Sequence, residues 1–380
     1  MFSATFDSRI WAAVPFHFWT VAFFVFGSIV GSFLNVCIHR LPLGQSVISP
    51  PSHCPHCKYS IPWYLNIPLV TWLYLRGKCR NCGAPISIRY FLVELLTALT
   101  FMSCWLAFGR QSAWLALVYA LFLAGLIVAT FIDFELMIIP DEITVGGMVA
   151  GFVCSFLLPG LHEQTSVSGS LRQSVLGIVA GAGIIYFFLR GGKLVFGRQK
   201  VTLPADTKII FSETAVHLPD KEIPYEDLFY RQSDVITLHA RTVELVDRCY
   251  KDVRVRLTPA TLRIGEEELN PEEEPHMEAV STEIVFPREA MGFGDVKFMA
   301  AIGAFLGWKA VIFSLALSSF IGGFLVGLPL VLLRRRELSS RLPYGPYIAL
   351  AAAIWIFEGK PLVALFFRFI FWINSLLFAR

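Results

Sequence analysis

Acidic side chains are scarce along most of this 380-residue chain: 19 lie between Lys200 and Glu289, and everywhere else there are only ten. Charged residues amount to 16% and hydrophobic ones to 55%, with a mean hydropathy of +0.61. That excludes an ordinary soluble globular chain. A cleavable secretory leader is not expected either. Phe16 to Ile38 is too long for the apolar core of a leader and no basic segment precedes it, so this first run is expected to be retained as a helix. No internal repeat of roughly 20–50 residues stands out, no glycine-rich dinucleotide fingerprint is present, and nothing calls for nucleic acid as a partner. What remains is a polytopic membrane protein, with the lipid bilayer as its surroundings, whose net charge of +3 hides one acidic, soluble block.

Apolar runs lie near 15–38, 91–109, 113–132, 143–159, 174–190, 310–333 and 344–357, with a short one at 296–308 and a ninth apolar piece at 361–380. The expected membrane part is all-α, with about eight transmembrane helices, since crossing takes about 20 apolar residues. The loop from His39 to Tyr90 carries six Lys and Arg and no acid, and Arg334, Arg335, Arg336 and Arg341 form a second basic cluster. An excess of positive charge marks the cytoplasmic side. Counting spans from there puts the N-terminus outside and the 191–290 insert in the cytoplasm. It puts Asp133 and Asp295 at the cytoplasmic ends of their helices.

The insert reads differently from the rest. Val235–Leu238, Val243–Val246, Val253–Leu257 and Thr261–Ile264 alternate like strands with turn residues between them. A small β-rich cytoplasmic module is expected, followed by an acidic, solvated linker from Glu266 to Glu278. His217 and His239 stand alone in it and are read as structural or exposed.

Cys54-Pro55-His56-Cys57 and Cys79-Arg80-Asn81-Cys82 are C-x2-C pairs about twenty residues apart, the spacing that presents four thiolates tetrahedrally to Zn²⁺. A cytoplasmic loop argues against disulfides. The predicted knot is structural, because four protein ligands leave no open position, and His53 and His56 are read as bystanders. Cys37, Cys104, Cys154 and Cys249 are scattered and read as small hydrophobes.

Ionisable side chains at membrane depth need a reason. Met291-Gly292-Phe293-Gly294-Asp295-Val296-Lys297-Phe298 sets a carboxylate and an ammonium at the mouth of an apolar segment, behind two glycines that let a backbone approach. Asp133 ends an apolar helix, where the macrodipole disfavours negative charge. Asp141 and Glu142 follow Pro140 at the start of the next helix and are read as helix-terminus acids. Glu94 lies inside a span and is expected to face a polar cavity or a partner such as Lys297. Two carboxylates from separate segments at one membrane face can hydrolyse a peptide, one activating water and the other, protonated, polarising the carbonyl. They can also serve a proton-coupled transporter, with Glu94 and Lys297 completing a relay.

These motifs, taken in order, resemble the bacterial type IV prepilin peptidases. Gly31-Ser32-Phe33-Leu34-Asn35-Val36 with His39-Arg40-Leu41-Pro42, the tetracysteine loop ending Ile86-Ser87-Ile88-Arg89-Tyr90 before Glu94, Asp133 with Ile139-Pro140-Asp141, Gly292 to Lys297, and Pro343-Tyr344-Gly345-Pro346 carry the resemblance. It covers everything except about 190–290 and the tail after 358. The resemblance implies an aspartic endopeptidase of the bacterial inner membrane, with Asp133 and Asp295 catalytic and Gly292, Gly294, Lys297 and Glu94 in support. Its implied substrates are type IV prepilins or type II secretion pseudopilins, cut after a glycine at the cytoplasmic face. It further implies methylation of the new N-terminus from S-adenosylmethionine. A non-catalytic pilus or secretion scaffold is the remaining alternative.

Overall fold

The computed structural model describes residues 14–196, 198–204, 207–219, 221–229, 234–287, 292–332 and 343–378. The basic cluster at Arg334, Arg335, Arg336 and Arg341, and Met291, lie outside the described residues. The chain divides into two compact units, 1–185 with 293–380, and 186–292.

The first unit is helical. Its long helices are α1 (Phe16–Arg40), α2 (Ile88–Phe108), α3 (Ala113–Leu136), α4 (Asp141–Leu157), α5 (Val167–Phe196), α6 (Phe293–Ser319) and α7 (Gly345–Phe378). A π-helical stretch, Phe320–Gly327, and the turn Leu328–Leu332 prolong α6. Among the described residues six helices are long and apolar enough to cross a membrane, with 293–330 counted as one and α4, at 17 residues, falling short. The chain is a mostly helical multi-pass membrane protein. Ser87 and Ser112 start α2 and α3, each side chain accepting a backbone N–H two or three residues on. Met137, at φ 55°, closes α3 by returning its N–H to the Asp133 carbonyl.

In lipid there is little apolar drive between helices, so close backbone approach at small residues holds the bundle. On α1, Gly27 and Gly31 lie against α2: a Cβ would stand 2.7 Å from Phe101 Cβ or from Glu94 Cα. One turn further, Asn35 donates to the Tyr90 carbonyl at 3.1 Å. Gly177 of α5 and Gly303 of α6 meet backbone to backbone, where a Cβ on either would fall within 2.1 Å of the other's carbonyl oxygen. Gly151 of α4 packs on Ala304 from another side.

The runs 296–308 and 310–333 are parted at Gly307, which leaves the helical conformation at φ 77° and ψ 173°. Gly307 sits beside His162 and Gln173, in and just beyond the α4–α5 connection, and a Cβ would be 3.5 Å from His162 Nδ1. The piece 344–357 and the described part of 361–380 lie in a single helix, Gly345–Phe378, that runs through Pro361. One missing N–H does not end a helix whose apolar residues continue on both sides in an environment without water.

The second unit is a ten-stranded antiparallel sheet. β1 (Arg198–Thr202), β2 (Lys208–Phe211), β3 (Ala215–Leu218) and β4 (Lys221–Pro224) precede β5 (Ile236–Glu244), β6 (Cys249–Leu257), β7 (Leu262–Ile264), β8 (Glu267–Leu269), β9 (Met277–Val280) and β10 (Glu283–Pro287). The order is β4-β3-β2-β9-β5-β6-β7-β8, with β10 joining β5 to β1. Ile236, Leu238 and Ala240, Val255 and Leu257, and Ile284 and Phe286 alternate inward and build one core. The expected linker at Glu266 to Glu278 is thus wrong: it supplies β8, a short 3₁₀ turn and the start of β9. Three of its acids are paired, Glu267 and Glu274 with Arg248 and Glu278 with Lys208, and along β9 Met277 and Ala279 alternate into the core. His217 is half-buried and His239 exposed, each about 3.8 Å from an acid.

Candidate aspartyl site and tetracysteine knot

Asp133 lies in the last turn of α3 and Asp295 in the first turn of α6, and both are buried, at 5% and 9% exposure. The chain brings their surroundings together through Ile139. Gly345, the first residue of α7, donates its backbone N–H to Asp133 Oδ2 at 2.9 Å. A Cβ on Gly345 would stand 2.7 Å from that oxygen and 3.1 Å from Ile139 Cδ1. Gly294, beside Asp295, lies against the same Ile139, where a Cβ would make ordinary contact at 3.6 Å. Gly292 immediately precedes α6 at the edge of the second unit.

Gly345 is the site residue that reading the acids did not single out. Its signal was the Pro343-Tyr344-Gly345-Pro346 element, legible as a motif but not as an amide aimed at a carboxylate. Tyr344 anchors that turn, its hydroxyl bonding Ser318 Oγ at 2.8 Å and Ser319 Oγ at 3.0 Å.

The supporting charges fall elsewhere than expected. Lys297 grips Asp141 with Nζ at 2.6 and 2.9 Å from the two carboxylate oxygens, so its partner is Asp141 and not Glu94. Asp141 and Glu142 occupy the first turn of α4, as expected of helix-terminus acids. Glu94 is buried on α2 and accepts the Leu69 N–H through Oε2 at 2.7 Å. Glu94 is thus engaged by Leu69 and Lys297 by Asp141. The Lys297–Asp141 pair is open to solvent, with Asp141 64% exposed, and an exposed pair contributes about 0–1 kcal/mol. Asp141→Asn is therefore expected to leave cleavage of a leader-bearing peptide within a few-fold of wild type, read as initial rates in detergent.

The four cysteines converge from two matching turns. Cys54 N–H bonds to Tyr59 O and Cys79 N–H to Ala84 O, and each turn passes through a left-handed residue, Lys58 at φ 58° and Gly83 at φ 70°. Cys54 and Cys82 sulfurs are 3.8 Å apart, those of Cys57 and Cys79 4.0 Å, and all four lie within 4.8 Å of one another. This is the only such cluster among the described residues, and His53 and His56 are not in it. The Asn81 side chain, followed by a Tyr59 backbone hydrogen bond, draws the Cys57 thiol down to about 6. Backbone hydrogen bonds from Cys82 and Asn81 lower Cys79 as well. Thiolate character is what a metal requires.

Two family descriptions match the chain. Residues 25–108 match the bacterial Peptidase A24 N-terminal domain, and residues 120–203 with 277–327 match the type IV leader peptidase family. A prepilin leader peptidase/N-methyltransferase of Aeromonas hydrophila is 30% identical over 364 residues, covering 88% of this chain and 89% of the relative. One of Myxococcus xanthus is 49% identical over 151 residues, 39% of this chain and 44% of its own. A type 4 prepilin-like proteins leader peptide-processing enzyme of Escherichia coli is 40% identical over 182 residues, 43% and 64% of the two chains. No solved structure matches.

Proposed function

The chain belongs to the bacterial type IV leader peptidase family, and from that premise we propose that it removes the leader of prepilins or pseudopilins and then N-methylates the new N-terminus. The observation that carries the peptidase half is the convergence of Asp133, Gly345, Ile139 and Gly294-Asp295 at one end of the bundle. Asp133 and Asp295 are the catalytic pair. One carboxylate takes a proton from the attacking water while the other, protonated, donates to the scissile carbonyl, and close like charges divide these roles between them. The Gly345 N–H fixes Asp133 Oδ2 and leaves Oδ1 for that exchange. Gly292 and Gly294 keep the approach low for an extended backbone. The test is mass spectrometry of a peptide carrying a basic leader, Gly-Phe and an apolar helix, incubated with the purified protein; an uncut peptide overturns the reading.

We read the architecture as eight crossings. The break at Gly307 beside the α4–α5 connection supports counting 293–306 and 308–332 as two antiparallel segments, because Gly294 and Ser318–Ser319 both lie toward the Asp133 end. The acid-free, basic 39–90 loop supports a cytoplasmic placement of that end in the inner membrane. On this reading 39–90 is the metal loop, 91–190 and 291–380 carry one catalytic aspartate each, and 191–290 is the accessory insert.

The four thiolates fit zinc. Bonds of about 2.3 Å in a tetrahedron put sulfurs roughly 3.8 Å apart, close to the 3.8 and 4.0 Å found between the opposed pairs. Cys54, Cys57, Cys79 and Cys82 would hold the ion, which ties the loop and takes no part in hydrolysis. Elemental analysis is expected to find about one zinc per chain. Cys57→Ala should lose it and open the loop to protease; an ordered loop without metal would overturn this assignment.

The insert is accessory. The type IV leader peptidase match skips 204–276, and the sheet packs its own core. Replacing 200–288 with a flexible linker is expected to preserve cleavage, measured on membranes with insertion checked. Loss of cleavage in an inserted variant would make the insert part of the site.

A further inference from the structure

One end of the sheet is basic on its outer face. The chain enters the sheet from α5 at Arg198 and leaves it for α6 after Pro287, and these two residues are register partners, so both leads depart from the same end of the strands. Only residue 197 separates α5 from β1 and only residues 288–292 separate β10 from α6. Leads this short keep the sheet at the surface of the bilayer that those helices cross. Two residues in from that end the register runs Lys200, Val285, Thr237, Arg256, Arg263 across β1, β10, β5, β6 and β7. Arg254, two residues further along β6, stands on the same face. The three arginines are exposed, while Val255, Leu257, Leu262 and Ile264 beside them face the core. Two guanidiniums directly opposite on neighbouring strands, about 4.8 Å apart in the ladder, cost stability unless an anion lies over them. The nearby carboxylates do not supply it: Glu283 is taken by Lys200, Asp252 lies 3.8 Å from His239, and Glu268 is the register partner of Arg263 without forming an ion pair. Among the described residues none of the three arginines makes an ion pair. At the other end of the strands the acids gather. Glu244 and Glu278 are register partners there, and Arg248 in the β5–β6 turn is held by Asp247, Glu267 and Glu274.

We propose that this basic end docks on the bilayer, with Arg254, Arg256 and Arg263 taking the phosphates of anionic phospholipid headgroups. A guanidinium donates two parallel N–H bonds to one phosphate, where an ammonium offers only a point charge. A leaflet rich in anionic lipid is negative at its surface, and each basic side chain brought close to it strengthens attachment roughly fivefold. The chain leading into the sheet carries the same sign, with Arg190, Lys193, Arg198 and Lys200 and no acid from Leu189 to Lys200. Basic residues clustered just past a membrane helix are the pattern that anionic lipid attracts. The gradient along the strands sets the orientation. The arginines lie at the end where the chain joins the membrane helices, and the acids, which such a surface repels, lie at the other. Nucleic acid fits the face less well. The row from Lys200 to Arg263 has no aromatic side chain on which a base could stack, and Glu268, Asp252 and Glu283 border it, so no basic track extends beyond a few phosphates. Docking gives the insert a second attachment to the membrane besides its two covalent leads. It goes beyond the peptidase and methyltransferase reading and uses neither activity.

The test reads the arginines themselves. Full-length protein is placed in lipid nanodiscs of phosphatidylcholine alone, or of phosphatidylcholine and phosphatidylglycerol in equal parts, and treated with phenylglyoxal, which modifies guanidiniums that are not engaged by an anion. Mass spectrometry of the digested protein gives the modification rate at each arginine. Arg254, Arg256 and Arg263 are expected to react about fivefold or more slowly in the discs containing phosphatidylglycerol, while Arg248, held by its acids at the far end, reacts at the same rate in both. Salt at about 1 M, where the Debye length is about 3 Å, should return the three to their rate in phosphatidylcholine. Arg256→Gln is expected to lower the protection of Arg254 and Arg263 about fivefold, with an unchanged rate at Arg248 as the sign that the sheet is folded. Equal rates at the three arginines in the two kinds of disc would overturn the proposal. Protection that phosphatidylglycerol does not give, but that RNA or inorganic phosphate added to the phosphatidylcholine discs does, would overturn it as well and assign the face to a soluble anion.

Discussion

Asparagine at either Asp133 or Asp295 is expected to abolish leader removal while the protein still inserts in the membrane. The amide has the shape of the carboxyl group but can neither take water's proton nor hold a proton for the carbonyl, and a positioned acid or base is worth about 10²–10⁴ in rate. In the proposed mechanism the two carboxylates work as one unit, so the double variant should be no worse than either single one. Methylation of a peptide supplied already cut should survive in both, since transfer to an amine needs no hydrolytic pair. Cleavage retained in one variant would remove that aspartate from the mechanism. A loss confined to Asp141→Asn would instead move the catalytic role to the acid at the head of α4.

Gly345→Ala is expected to have the next largest effect. The added Cβ would stand 2.7 Å from Asp133 Oδ2, closer than real contacts allow, so either the carboxylate swings away or α7 backs off and the 2.9 Å hydrogen bond from its N–H is lost. A displacement of about 1 Å at a reacting group can cost roughly 10²-fold. Cleavage should fall by about that factor, with methylation of a pre-cut peptide retained as the sign that the fold is intact. An unchanged cleavage rate would show that Asp133 does not depend on this amide.

Much of this was legible in the chain because membranes make chemistry conspicuous. Asp133 and Asp295 stood out against apolar helices, and the cysteine pairs announced their own geometry by spacing. Partner choice was not legible. Lys297 lies two residues from Asp295 in sequence, yet it reaches Asp141 across the α4–α6 contact, and Glu94 spends its carboxylate on a backbone N–H in the cysteine loop. Both follow from helix packing at glycines that single residues do not reveal. The sheet was underread for another reason. β8 and β9 with the turn between them carry so many acids that they look like solvated linker, whereas Met277 and Ala279 alternate into the core and Glu278 pairs with Lys208 on the neighbouring β2. Pro361 likewise suggested a boundary that the continuous apolar helix overrides.

The most direct test follows one peptide, with a basic leader, Gly-Phe and an apolar helix, by mass spectrometry in the presence of S-adenosylmethionine. Wild-type protein should yield the shortened peptide bearing one methyl group on its new N-terminus, and Asp133→Asn and Asp295→Asn should return the peptide uncut. Leader removal by either aspartate variant at the wild-type rate would contradict the account.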